Sequence, residues 1–242
     1  MDTLEQMLAT MWSAFSAMGR GEARWVENDG VGALVTPGVP HRSIVNCVIY
    51  QPGGDVESAY EWLEAQYAAV DAWTVWVPET DGDTAALLES RGHKLDADPA
   101  MMALDLTNFA RPGPLLDWRP ATVEELARIN DAAYPWRDGS LERAILGSAY
   151  GGDEFRLYIA GDACVLGIND CDGDAGVFFV ATLPEARGRG LAGGLLAAAL
   201  VEARDRGCDV STLQATKIGE PVYARLGYER FGAIQMWEKR SS

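Results

Sequence analysis

Arg187-Gly188-Arg189-Gly190-Leu191-Ala192 is the stretch whose reading decides this chain. It follows an apolar run, Gly176 to Leu183, that reads as a strand, and it opens an Ala/Leu-rich run, Leu191 to Asp205, that reads as a helix. A strand, a glycine turn and a helix start form a geometry suited to phosphate. The first-turn N–H groups have no partner within the helix, and the helix dipole favours an anion there. Glycine lets an anion approach the backbone without a Cβ in the way. Two arginines add donors that match phosphate oxygens. That positive spot stands out against a net charge of −16.

Three classes of ligand use such a loop. Gly188-x-Gly190-x-x-Gly193 satisfies the dinucleotide pattern, but only 49 residues follow Gly193, too few for the rest of a doubly wound domain. The acid that pattern needs about 20 residues on is also missing from Val210 to Lys217. A Walker-type loop ends in Gly-Lys-Ser/Thr, whereas Gly193-Gly194-Leu195 stands here. The third ligand is the pyrophosphate of coenzyme A. With Arg187, Gly190 and Ala192 on its defined positions, the segment resembles the Arg/Gln-x-x-Gly-x-Gly/Ala signature of the GNAT acyltransferase superfamily.

A second motif lies at the spacing of that family, Thr216-Lys217-Ile218-Gly219-Glu220-Pro221-Val222-Tyr223-Ala224-Arg225-Leu226-Gly227-Tyr228. Pro221 suits the first turn of a short helix, Gly227 its C-terminal end, and Tyr228 the start of a closing strand. Thr216 takes the family's Ser/Asn place, Gly219 the small place and Tyr223 the tyrosine place. The resemblance implies that Tyr223 lies beside the thioester sulfur and protonates the departing thiolate, a role a phenol can fill at neutral pH. It implies acetyl-CoA as cosubstrate, no metal, and a primary amine on a small molecule or peptide as acceptor. It also implies a cofactor cradle of Val180, Ala181 and Thr182 on a splayed strand, Arg187, Gly188, Arg189, Gly190, Leu191, Ala192 and Gly193 in the turn, and Thr216 beyond it.

Composition limits the other classes. No apolar run reaches membrane-spanning length, and Met1-Asp2-Thr3-Leu4-Glu5 lacks the basic start of a secretion signal. Cys47, Cys164, Cys171 and Cys208 are scattered, which fits a reducing cytoplasm better than a disulfide framework. Two distant histidines argue against zinc. The acidic balance argues against nucleic acid and weakly favours a cationic substrate. Asp170-x-Asp172-x-Asp174 is similar to a calcium loop, but Ala175 and Ala181 replace the needed glycine and glutamate, so it reads as a hairpin turn.

The chain also reads as a diverged repeat. Shifting by 135 residues lays Gly92 on Gly227, Met101 on Met236 and Gly53 on Gly188. The helix-like run Val56 to Val70 then overlies Leu191 to Asp205. The expected fold class is α+β with a mixed α/β sheet. It comprises two GNAT-like domains, each a mixed, mostly antiparallel sheet flanked by helices. Residues 1–110 are expected to form the degenerate domain, 111–119 a linker around Pro112-Gly113-Pro114, and 120–242 the acetyl-CoA-binding domain. In the first copy Gln51-Pro52-Gly53-Gly54-Asp55 replaces the arginine turn, Asp55 puts a carboxylate where pyrophosphate would sit, and Leu88 takes the tyrosine place. That copy is left with the roles of scaffold, wall of the acceptor pocket or homodimer surface. Tyr134-Pro135-Trp136 falls where the family lines its acceptor site, and Asp170, Glu154 and Glu185 are candidate bases. Two alternatives remain: a non-catalytic acyl-CoA-binding regulatory module, which needs the Arg187–Gly193 loop but not Tyr223, and an interaction protein without a cofactor.

Overall fold

The computed structural model describes residues 2–110, 116–134 and 138–241. The first half runs α1 (Thr3–Met18), β1 (Arg24–Asn28), β2 (Val31–Val35), β3 (Cys47–Tyr50), α2 (Val56–Gln66), β4 (Ala72–Pro78), α3 (Gly82–Ser90), β5 (Lys94–Ala97) and β6 (Ala100–Asp105). The second runs β7 (Arg119–Pro120), α4 (Val123–Ala133), α5 (Ser140–Ile145), β8 (Phe155–Ala160), β9 (Cys164–Cys171), β10 (Asp174–Thr182), α6 (Leu191–Asp205), β11 (Val210–Ala215), α7 (Glu220–Ala224) and β12 (Glu229–Arg240). The mixed α/β fold with a mixed sheet and flanking helices is therefore as the sequence implied. Part of the proposed linker, residues 111–115, lies outside the described residues.

Local chemistry sets the elements. Thr122 and Glu125 close a reciprocal capping box at the start of α4. Asp55 caps α2 through its carboxylate on the Ser58 amide at 3.0 Å. The Asp170–Asp174 stretch is a hairpin turn, with Asp172 and Gly173 at φ 47° and 80°. Helix α6 is built from strong helix formers and buries Leu195, Leu196, Ala199, Leu200 and Ala203 against the sheet. Gly207, at φ 105°, lies just beyond its end.

The strands form one sheet in the order β1-β2-β3-β4-β12-β6-β11-β10-β9-β8-β7, with β5 added on β12. Only β3–β4 and β10–β11 are parallel, and each is joined through a helix, α2 or α6. The two halves thus repeat one strand–helix–strand unit. Their closing strands, however, are exchanged. β6, from the first half, pairs with β11 from Val210↔Asp105 to Ala215↔Ala100. β12, from the second half, pairs with β4 from Ile234↔Pro78 to Arg240↔Ala72. The pairing therefore crosses the division at residue 110.

Helices α1, α4 and α5 share one apolar cluster that takes residues from both halves, among them Met11, Phe15, Leu126, Phe155 and Phe178. α6 and α2 build separate clusters, the first around Leu196 and Leu213, the second around Tyr60 and Leu63.

Candidate functional site

The site is made where β10 and β11 part. Their parallel pairing runs from Asp174↔Val210 to Val177↔Leu213. β10 then carries a bulge. Phe178 stands opposite Gly167 and Ala181 opposite Val165, so Phe179 and Val180 together face one residue of β9. Phe179 takes φ 55°, a left-handed backbone that a bulky residue rarely adopts. The bulge bends β10 away from β11 and leaves a slot between their C-terminal ends. The strand expected to splay, Val180–Thr182, forms one wall of it.

Strand alternation fixes where the wall's polar groups point. The Leu183 amide bonds the Ala163 carbonyl at 2.9 Å, so the Thr182 backbone, one residue earlier, faces away from β9 and toward the slot. Val180 is in phase with it. Side chains take these carbonyls: the Tyr134 hydroxyl donates to Val180 O at 3.3 Å, and Arg187 Nε donates to Thr182 O at 3.2 Å. Asn130 Nδ2, one turn before Tyr134 on α4, donates to Phe179 O at 3.2 Å.

The glycine turn follows. Gly188 and Gly190 both adopt the left-handed conformation, at φ 76° and 75°, and nothing lies within 4 Å of a Cβ built on either. Gly190 caps α6 with no side chain of its own to bond the first turn, where Leu191, Ala192 and Gly193 lie. The amides and the open glycine faces fit an anion. The arginines are placed otherwise than the motif suggests. Arg187 Nη2 bonds the Ala133 carbonyl at 2.6 Å, clasping the end of α4, and Arg189 bonds the Glu185 carbonyl at 3.0 Å.

On the opposite wall, α7 carries Tyr223. Gly219 is required small there, since a Cβ would stand 3.0 Å from the Tyr223 ring. The ring meets Tyr228 edge-on, with centroids 6.0 Å apart. Burial pushes the Tyr223 phenol well up from its ordinary value, and the neighbouring Tyr134 and Cys164 add to the rise, so it is a proton donor at neutral pH. Thr216 caps the turn before α7, its hydroxyl accepting from the Gly219 amide at 3.2 Å. Cys164 is fully buried and its sulfur accepts from Thr182 Oγ1 at 3.2 Å.

Asp170 lies at the far end of β9, held by Arg156 at 3.0 Å and by Arg206 at 2.6 Å. Glu154 sits at that same end, its carbonyl bonded by the Asp170 amide at 2.9 Å. Glu185 does line a cavity of about 520 Å³ beside the slot, together with Asp131, Glu142, Arg128 and Leu183. Burial raises the Asp131 carboxyl above its usual range. The sequence reading missed Asn130, Asp131 and Glu142. The i, i+4 spacing of Asn130 and Tyr134 was the available signal. Pro135 and Trp136 lie outside the described residues.

In the first half, the matching loop is filled. Asp55 Oδ2 accepts from the Ser58 hydroxyl at 2.6 Å, and these bonds lower its carboxyl. Gly54 is pressed on Gly30, where a Cβ would come within 2.6 Å of the carbonyl oxygen. Leu88 is fully buried at the tyrosine position.

Comparison with known proteins agrees with this geometry. Residues 167–231 match the family model described as an acetyltransferase (GNAT) domain. A GCN5-related N-acetyltransferase from Kribbella flavida superposes with a TM-score of 0.67 at 16% identity, covering 97% of this chain and 96% of that one. A GCN5-related N-acetyltransferase from Sphaerobacter thermophilus gives 0.58 at 15% identity, covering 98% and 91%. A tandem GNAT protein from the clavulanic acid biosynthesis pathway gives 0.59 at 16% identity, covering 88% and 78%. No match was found among curated proteins. The chain has the GNAT acetyltransferase fold, and its second half carries the GNAT domain match. Among the described residues, no helix is long and apolar enough to cross a membrane.

Proposed function

We propose that this protein transfers an acetyl group from acetyl-CoA to a primary amine by direct attack. One observation carries the reading: the slot between β10 and β11 has an uncapped glycine helix start at one end and a half-buried, protonated tyrosine on its wall. Pyrophosphate would rest on the Gly188–Gly193 amides, with Arg187 and Arg189 beside it. The thioester would lie along Val180–Thr182. The amine nitrogen forms the new bond to the carbonyl carbon, the carbon–sulfur bond breaks, the Tyr223 proton goes to the sulfur, and the proton the new amide nitrogen sheds restores the phenol. An incoming ammonium must first lose a proton, and Glu185, Asp131 and Glu142 are the carboxylates at the adjoining cavity. Three acids on that cavity favour a cationic acceptor.

Release of coenzyme A thiol from acetyl-CoA, followed across a panel of amines, amino acids, aminoglycosides and peptide N-termini, tests the reaction. For Tyr223→Phe, turnover should fall about 100-fold, at the low end for a lost general acid, with KM for acetyl-CoA little changed. Unchanged turnover across pH would remove Tyr223 from the acid role.

A further inference from the structure

The slot wall is already hydrogen-bonded before any ligand enters. Val180 O and Thr182 O point into the slot, and each is taken by a side chain of this chain, Tyr134 and Arg187. Tyr134 ends α4 and is 41% exposed, so its ring is not a core residue held by packing alone.

We propose that Tyr134 is the gate of this slot. Its hydroxyl occupies the Val180 carbonyl as an internal substitute for a ligand amide, and the side chain must swing out before an extended amide-bearing ligand can pair with β10. The ligand class rests on the acetyl-CoA reading above; the closed contact does not. Arg187 ties the gate to the anion loop. The same guanidinium holds Ala133 O at 2.6 Å and Thr182 O at 3.2 Å, beside the residue that carries the gate. An anion that draws Arg187 toward the helix start removes the clasp on the last turn of α4 and frees Tyr134 to move. Ligand entry at one end of the slot would then unlock the other.

Two measurements on the full chain test this with Tyr134→Phe, which keeps the ring and removes one hydrogen bond. Amide hydrogen exchange of residues 178–183 without ligand should quicken by about 2- to 10-fold, the worth of one such bond. Calorimetry with acetyl-CoA should show binding tightened by a similar factor, because the ligand no longer displaces a hydroxyl. Tyr134→Ala should bind at least as tightly as Tyr134→Phe. Unchanged exchange overturns the gate, whatever the ligand does. Faster exchange with equal or weaker acetyl-CoA binding also overturns it, since the hydroxyl would then not compete with the ligand. Faster exchange with no acetyl-CoA binding by either protein supports the closed contact and removes the acetyl-CoA reading instead.

Discussion

Asp174 gives the sharpest test of how the two halves are joined. It is fully buried at the start of β10, and its Oδ2 meets Thr10 Oγ1 of α1 at 2.7 Å and Thr212 Oγ1 of β11 at 2.6 Å. Oδ1 has no partner. Thr10 has one hydroxyl proton and two acceptors within reach, Asp174 and the Gln6 carbonyl at 2.9 Å. A protonated carboxyl resolves that conflict by donating to Thr10, which then donates to Gln6. Burial accordingly raises the Asp174 carboxyl from 3.8 to about 6, against the Thr212 and Thr10 bonds that lower it. The folded state holds the proton more tightly than the unfolded chain. This group's stabilisation is therefore full below pH 3.8 and is lost as pH rises through 6. A shift of about two units is worth roughly 3 kcal/mol in all, of which roughly 1.4 kcal/mol falls between about pH 5 and 7.5. The window starts above the isoelectric point of about 4.4, where solubility fails. Urea unfolding of wild type and Asp174→Asn across that window isolates the site, because the other carboxylates cancel in the difference. The stability of wild type minus variant should fall by about 1.4 kcal/mol as pH rises. A flat difference would refute the argument that this carboxyl is held neutral.

Other substitutions probe the same construction. Gly176→Ala places a methyl 2.1 Å from Thr10 Cγ2, so α1 must shift; overpacking of about 1–3 kcal/mol should appear as a lower urea midpoint. Gly190→Ala meets no clash but forces φ 75° on a residue with a Cβ, costing about 1–2 kcal/mol; coenzyme A affinity, read by calorimetry, should fall further than stability does. Asp55→Ala removes the α2 cap and should cost about 1 kcal/mol in thermal unfolding, without creating a second coenzyme A site, because the loop still lacks both arginines and Gly54 stays packed on Gly30.

The glycine turn, the α6 helix, the capping box of α4 and the α7 motif were legible because each is a local signal whose chemistry sits within a few residues. The parallel β3–α2–β4 and β10–α6–β11 units were legible through the 135-residue repeat. The exchange of β6 and β12 was not, since it turns on which distant strand edges pair. Register between distant strands is set by which edges are free, and no local residue encodes that. The arginines show the other limit. The motif sets Arg187 in the glycine turn, but its long side chain reaches the α4 end, which belongs to a segment 54 residues earlier.

The exchange gives the first half a role at a site to which its own glycine loop contributes nothing. β11 has two edges. One faces β10 and opens into the slot, and the other is satisfied wholly by β6 through six paired residues. Tyr223 follows the end of β11 on α7, so the wall that carries it is positioned by a strand of the first half. The opposite wall, β10, is anchored at its start by Thr10 of α1, through Asp174 and through the close contact at Gly176. Both walls are thus held at their closed ends by first-half residues, while their open ends part at the Phe179 bulge. A half that retained only its scaffold could lose both arginines and the tyrosine without loss to the slot, provided it kept α1 and β6. The filled Asp55 loop and the intact β6 pairing are what such a division of labour leaves behind.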